Sequence, residues 1–531
     1  MNSENKHKKN CTLVVSLFEM SFEELAQLKV FSNNIGFVEI RADVIGHRPD
    51  YEHLSKFHSA SLLYALRSQE EGGFFQGTPD ERKALLIEAS KYCDLIELEG
   101  ARDLQPEILE AIPPEKRIIS WHGLSCSVLE LEKKLKYFDK TPAQWYRLVP
   151  QASKSGDGLI PLLFLKKIGR KDVISFASKE PGQWTQIIAP YLGAQIAFGT
   201  LIQNNNSTGT FSIAQLIDNY NLQALPPFKR IFGIVGNPIF SSRSPQMHNN
   251  AYWELSLEYL YLPFHVNSFN EFWDDLVCAS EFEGLGFSFN GFTVVSPFKE
   301  EAINHAEKIQ TPIIRKANAC NVLVKQSGIW ESGTTDFFGL ESALEELELK
   351  MPGLKVAIIG CGGAGRTIAA GLTQNDANVL LVNRSLERAQ SAAKLLQLPF
   401  VLLADFFPRN FDLIINATPL GKHSNEAPFN LEDIDPETAV IDLTYSKGLT
   451  ALVRYCMEQE MKVISGRKIL LFQVLRQFEL LTRKKMPYHL ARTLSCIKEE
   501  EVFLTEIRNI NGFKKQSNPS IQESRGERKE G

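Results

Sequence analysis

From Cys11 onward, short apolar runs recur with room for a helix between them: CTLVVSLF, FVEIRAD, LLYALR, LIELE, RIISWH, WYRLVP, DVISFAS and IAFGTL. Between the first two, Ser21 and Glu24 form a capping box, and Thr78-Pro79 starts a helix that runs to about Cys93. Eight strand-helix units predict a parallel (β/α)8 barrel over residues 1–222. The proline-bearing stretch 223–230 predicts a linker. An apolar strand then leads to a helix with Ser244 as N-cap and Pro245 at N1, a second precedes Lys299, and Asp336 stands at a helix start as an N-cap. The tail 512–531 is polar and expected to be disordered.

Residues 355–388 predict one βαβ half of a dinucleotide-binding sheet. An apolar run enters a GxGxxG turn at Gly360, Gly362 and Gly365, through Gly363 and Ala364, and a second apolar run ends at Asn383-Arg384-Ser385. The first glycine allows the tight turn, the second lets backbone approach a pyrophosphate, and the third lets helix pack on strand. The helix N-terminus offers free N–H groups to the anion. An acidic residue at the end of the second strand would hold a ribose 2′-hydroxyl; Arg384 and Arg388 instead favour a 2′-phosphate, so the expected cofactor is NADP. Arg388 read alone is also compatible with a solvated helix residue. Asn416 to Gly421, NATPLG with Thr418, ends another strand and is expected on the nicotinamide side; Tyr445 ends a further one. The overall expectation is α/β, with a two-domain second half: 231–340 plus 466–500, and a Rossmann-like domain over 341–465.

Composition narrows the ligand class. With 531 residues and 44% hydrophobic content, two or three domains with substantial cores are expected. A formal charge of -5 leaves no footprint for nucleic acid or an anionic membrane, which points to small molecules. Eight scattered cysteines without CxxC or a His/Cys cluster indicate neither a disulfide framework nor a metal. A reduced, cytoplasmic setting is expected, with no export signal and no membrane span.

The predicted barrel strands carry Glu39, Arg41, Arg67, His122 and Arg147, where barrel active sites form. A structural ion-pair network is the alternative, although it leaves His122 unexplained. EIR (39–41), RSQEEGG (67–73) and SWH (120–122) resemble the type I 3-dehydroquinate dehydratases. The resemblance implies a Schiff-base lysine on strand six, His122 as acid/base, Glu71 as its orienting partner, and Glu39, Arg41 and Arg67 as substrate contacts. Three positions depart from the family pattern: Arg147 stands at the lysine position, Gln186 at a carboxylate-binding arginine, and Thr210 at a lid glutamine. Guanidinium is no amine nucleophile, so dehydratase activity is expected to be low or absent. Lys154, in a polar SKSGDG loop, is the candidate substitute.

Residues 231–480 resemble shikimate dehydrogenase through NPIFSSRSP, PFKE, NACNVLV, GTTD, GCGGAG, NRS, NATPLG, IDLTYS and LLFQ. This implies NADP-linked, reversible reduction of 3-dehydroshikimate to shikimate, a step in aromatic amino acid biosynthesis. Lys299 and Asp336 would be the catalytic pair, Ser242 and Ser244 would hold the substrate carboxylate, and Asn321, Asp336 and Gln473 its ring hydroxyls. Tyr445 joins the substrate contacts. Val295, Thr293 and Thr334 replace usual family residues. Three alternatives stay open: quinate as substrate, a fully bifunctional chain with a displaced lysine, and a barrel that only binds or stabilises.

Overall fold

The computed structural model describes residues 11–495 except 20, 47, 56–58, 202–208, 241, 423–424 and 446–447, with 22, 23 and 55 described by backbone alone. The tail expected to be disordered lies outside the described residues. The chain forms two compact units, residues 1–290 and 291–531.

In the first unit all eight predicted strands form: β1 (Thr12–Leu17), β2 (Phe37–Arg41), β3 (Ser61–Ala65), β4 (Leu95–Glu99), β5 (Arg117–Gly123), β6 (Trp145–Pro150), β7 (Val173–Ser175) and β8 (Ile196–Thr200). Among the described residues their pairings are parallel, in the order β7-β6-β5-β4-β3-β2-β1-β8, with β7 and β8 at the two ends. Because the strands are covered on both sides, their sequences read as nearly continuous apolar runs. The charges inside those runs are therefore buried too.

Local signals hold with two corrections. The helix Pro79–Ala89 has a complete capping box between Thr78 and Glu81 but ends before Cys93. Residues 90–93 turn away while their N–H groups still reach Leu86, Glu88 and Ala89 carbonyls, which brings the chain round to β4. At Ser21 the box is half formed: the hydroxyl accepts from the Glu24 N–H at 3.2 Å, but the Glu24 carboxylate accepts from the Glu19 N–H at 3.1 Å.

After the barrel, β9 (Arg230–Gly236) and β10 (Tyr259–His265) pair in parallel, joined through helix α1 (Ser244–Glu254). Ser244 is the first helical residue and not the N-cap. The N-cap is Arg243, and the Ser242 hydroxyl before it accepts the Ser244 N–H at 3.3 Å. Trp184 of the barrel, 1% exposed, lies 5.7 Å from the Phe264 ring and 6.1 Å from Phe282. Lys154 pairs with Asp275 at 2.6 Å. Trp184→Ala is expected to cost about 3–5 kcal/mol in denaturant unfolding of the full chain, the usual loss for a buried tryptophan. A loss below about 1 kcal/mol would mean that this contact does little for stability.

β11 (Ser288–Val294) straddles the division. In the second unit, β13 (Val322–Gln326) pairs antiparallel with β11 and with β14 (Ile329–Gly333), which runs parallel to β12 (Lys308–Ile309). A parallel sheet follows, made of β15 (Lys355–Ile359), β16 (Asn378–Asn383), β17 (Phe400–Leu402), β18 (Leu413–Asn416), β19 (Ala439–Asp442) and β20 (Val463–Ile464). Its order, β17-β16-β15-β18-β19-β20, reverses at β15 and β18, where doubly wound sheets open a crevice. Helices α2 (Asp336–Leu347), α3 (Gly363–Gln374), α4 (Leu386–Leu396) and α5 (Gly466–Thr482) complete the parts that shape the site.

Candidate active sites

Inside the barrel, Arg147 on β6 donates to Glu39 Oε1 of β2 at 2.7 Å and to Glu97 Oε2 of β4 at 3.1 Å. Its guanidinium carbon lies 3.6 Å from the centroid of the Phe198 ring. Arg67 reaches Glu97 Oε1 at 3.3 Å, Glu39 also accepts from the Ser16 hydroxyl, and Arg41 is held by both carboxylate oxygens of Asp43 at 2.8 and 2.9 Å. Burial alone would raise the Glu97 pKa, but Arg147 and Arg67 outweigh it and hold the carboxyl well below its ordinary range. The ion-pair network that stood as the alternative reading is therefore present, and it includes Arg147.

His122 is held as expected: Glu71 Oε2 lies 3.2 Å from its Nδ1 and accepts its backbone N–H at 2.9 Å. Burial and the charges of Arg67, Arg147 and Arg41 keep its pKa well below the usual value, so the ring is neutral. Burial, followed by the Glu99 charge, pushes Glu71 up to about 8. His122 Nε2 is buried without a hydrogen-bond partner among the described residues and lines a cavity of about 90 Å3 shared with Glu39, Arg41, Arg67, Arg147, Gln186 and Thr210. Gln186 donates to the Gly209 carbonyl at 3.2 Å. Lys154 does not line that cavity.

The second unit assembles a different cluster. Lys299 Nζ donates to both Asp336 oxygens, at 3.0 and 2.7 Å. Asp336 Oδ1 also accepts from Asn321 Nδ2 at 3.1 Å and from Gln473 Nε2 of α5 at 3.0 Å. Asp336 is the first residue of α2, after the N-cap Thr335, so it is not itself the cap. Thr335 is fixed by Asn321, which accepts its N–H at 2.9 Å and donates to its hydroxyl at 3.0 Å, and by Gln477 at 3.3 Å. Among the departures, Thr334 accepts the Asp336 N–H at 3.3 Å, Val295 is half-buried, and the buried Thr293 hydroxyl has no partner among the described residues. Ser242 and Ser244 belong to the first unit.

The glycine turn after β15 has the geometry its spacing predicts. Gly360 has φ +106°, the left-handed region that favours glycine. A Cβ on Gly365 would lie 2.0 Å from the Gly360 carbonyl oxygen, while one on Gly362 would meet nothing within 4 Å. The first and third glycines therefore serve the fold, and the second leaves open space before the α3 N-terminus. A Cβ on Gly363 would meet the Lys299 Cβ at 2.7 Å, so the start of α3 adjoins the lysine. At the end of β16, Asn383 donates to the Ser385 carbonyl at 3.0 Å, Ser385 caps α4, and Arg384 and Arg388 are exposed. Thr418 donates to Asn416 Oδ1 at 2.7 Å, and its methyl would lie 3.0 Å from a Cβ on Gly360. Tyr445 is half-buried, with Lys422 Nζ 6.0 Å from its ring centroid.

Over 281 residues the chain is 31% identical to the shikimate dehydrogenase (NADP(+)) of Methanosarcina barkeri, covering 50% of this chain and 96% of that one. The chain belongs to the shikimate dehydrogenase family. The family profile for the shikimate dehydrogenase substrate binding domain matches residues 234–323, and one described as NADP oxidoreductase coenzyme F420-dependent matches 355–445. Ahead of these domains, the type I 3-dehydroquinase profile matches residues 12–225. The bifunctional 3-dehydroquinate dehydratase/shikimate dehydrogenase of Arabidopsis thaliana, described as chloroplastic, is 26% identical over 484 residues, 85% of this chain and 78% of that one. A solved shikimate dehydrogenase in complex with NADP+ superposes with a TM-score of 0.45 at 28% identity, covering 51% of this chain and 96% of that one. The chain is thus a shikimate-pathway enzyme that carries a type I 3-dehydroquinase domain ahead of its shikimate dehydrogenase domains.

Sequence reasoning missed Glu97, the carboxylate shared by Arg67 and Arg147, although the run LIELE carries two charges on one face of a buried strand. It also missed the Thr335–Gln477 brace behind Asp336. No described helix is long and apolar enough to cross a membrane, and no described group of three or more His, Cys, Asp or Glu is placed to hold a metal.

Proposed function

We propose that the second half of the chain interconverts 3-dehydroshikimate and shikimate with NADP, and that the barrel does not perform Schiff-base dehydration. The Lys299–Asp336 pair carries the first reading, with Nζ at 2.7 and 3.0 Å from the two carboxylate oxygens. NADP, when bound, supplies or accepts the hydride. The chain's own part is proton handling and orientation. Lys299 Nζ donates a proton to the substrate's carbonyl oxygen during reduction and takes it back from the hydroxyl during oxidation. Asp336 fixes the ammonium. Gln473, whose Nε2 holds Asp336, presents its amide oxygen to the ring hydroxyls, and Asn321, whose amide is committed to Thr335 and Asp336, keeps that carboxylate in place beside them. Ser242 and Ser244 take the carboxylate.

The open space at Gly362, the α3 N-terminus and the exposed Arg384 and Arg388 suit a pyrophosphate and a 2′-phosphate. Replacing both arginines by glutamine is expected to raise KM for NADP about tenfold or more, since one lost charge-assisted bond is worth about 1.5–3 kcal/mol, and to leave KM for NAD nearly unchanged. The direct test is NADP reduction by the full-length protein with shikimate and, separately, quinate. Turnover with shikimate supports the reading, whereas turnover with quinate alone reassigns the substrate.

For the barrel, the support is chemical. Arginine cannot form the imine, none of the described residues lining the cavity is lysine, and Lys154 is paired with Asp275. A cavity of about 90 Å3 is also well below the usual ligand pocket of roughly 300 Å3 or more. Incubation with 3-dehydroquinate and borohydride is expected to leave the protein mass unchanged. A mapped adduct would identify a displaced lysine and restore the bifunctional reading.

A further inference from the structure

The barrel reaches the serine-bearing segment at the end of β10. His265, the last residue of β10, lies opposite Gly236, the last residue of β9, so its ring stands beside the chain that leaves β9. Phe240 stacks on that ring with centroids 5.0 Å apart and planes at 12°. The same segment is tied down by Asn237, whose amide donates to the Val266 carbonyl at 3.3 Å and to Asn267 Oδ1 at 3.2 Å. Ser242, two residues after Phe240, donates its N–H to the Ile239 carbonyl at 3.0 Å.

Two barrel residues hold His265 from the other side. Glu180 Oε2 lies 3.6 Å from His265 Nε2, and the Ser155 hydroxyl donates to the His265 carbonyl at 3.4 Å. His265 is itself buried, and its Nδ1 finds no hydrogen-bond partner among the described residues. The ring thus has Phe240 stacked on one face and the Glu180 carboxylate beside its Nε2 edge. Phe240 rests on that face, two residues before Ser242 in the chain.

We propose that Glu180, a barrel residue, and His265 are positioning residues for Ser242 and Ser244, so that the barrel tunes the dehydrogenase's affinity for its substrate's carboxylate. The inference rests on the reading that these serines hold that carboxylate. It gives the barrel a part in the reaction that requires no chemistry of its own.

The test is steady-state shikimate oxidation by the full-length protein at saturating NADP. Glu180→Ala and Phe240→Leu are expected to raise KM for shikimate by about three- to tenfold with kcat and KM for NADP unchanged, the pattern of lost uniform binding. Glu180→Gln, whose amide can still meet the ring nitrogen, is expected to keep KM near the wild-type value. Ser242→Ala serves as the reference. If Ser242→Ala raises KM but Glu180→Ala and Phe240→Leu do not, the positioning role is wrong. If Ser242→Ala also leaves KM unchanged, the carboxylate reading fails and takes the inference with it. A fall in kcat together with a lower melting temperature in both variants would mark general loosening and overturn the positioning role.

Discussion

Replacing Lys299 by methionine is expected to lower kcat for shikimate oxidation by about 10²–10⁴-fold, the usual contribution of a positioned acid or base. The side chain is 16% exposed and Asp336 only 3%, so the ammonium is the solvent-facing member of the pair. Methionine matches much of the lysine stem that packs at Gly363 but cannot move a proton. Asp336 would keep its hydrogen bonds from Asn321 and Gln473, so the carboxylate is not orphaned and the fold is expected to survive. Rate and melting temperature measured together decide the matter. A kcat within threefold of wild type, in protein that melts normally, would remove Lys299 from the reaction.

Arg147→Ala is expected to destabilise the protein by about 3–5 kcal/mol, the usual result of removing one partner from a buried ion pair. Glu39 and Glu97, 2% and 4% exposed, would lose the guanidinium that bridges them. The pH dependence has a definite sign. In the wild type the folded pKa of Glu97 lies below its ordinary 4.5, so its contribution is present above that value and is lost as pH falls through the folded pKa. In the variant, burial with less compensating charge raises the folded pKa, so the deficit is largest near neutrality and shrinks on acidification. Urea unfolding at two pH values tests both statements. An unchanged midpoint would show that the network does not stabilise the barrel.

The barrel strands were legible because each is a short apolar run with turn residues on both sides, and the βαβ half because the roles of Gly360 and Gly365 follow from backbone geometry alone. Pairing across the barrel was not. Arg147 meets Glu97 from fifty residues away and Glu39 from still farther, and a strand pattern shows which face a charge lies on without naming its partner. The Lys299–Asp336 pair was visible only through family resemblance, since either residue alone reads as a surface lysine or a helix start. The capping error at Ser244 is of a local kind: Ser242 and Ser244 both lie near the start of a proline-bearing helix, and only the backbone shows that the helix begins at Ser244 itself, with the Ser242 hydroxyl accepting its N–H.

Among the described residues lining the barrel cavity, the basic groups are three guanidiniums and the His122 imidazole, which burial and its charged neighbours keep neutral, while Lys154 is engaged by Asp275. Carbonyl reagents that inactivate a barrel by condensing with its amine meet no amine among the described residues that line this cavity. A covalent inhibitor of that class would therefore discriminate between amine-bearing barrels and this one, leaving shikimate oxidation here intact at doses that silence the others.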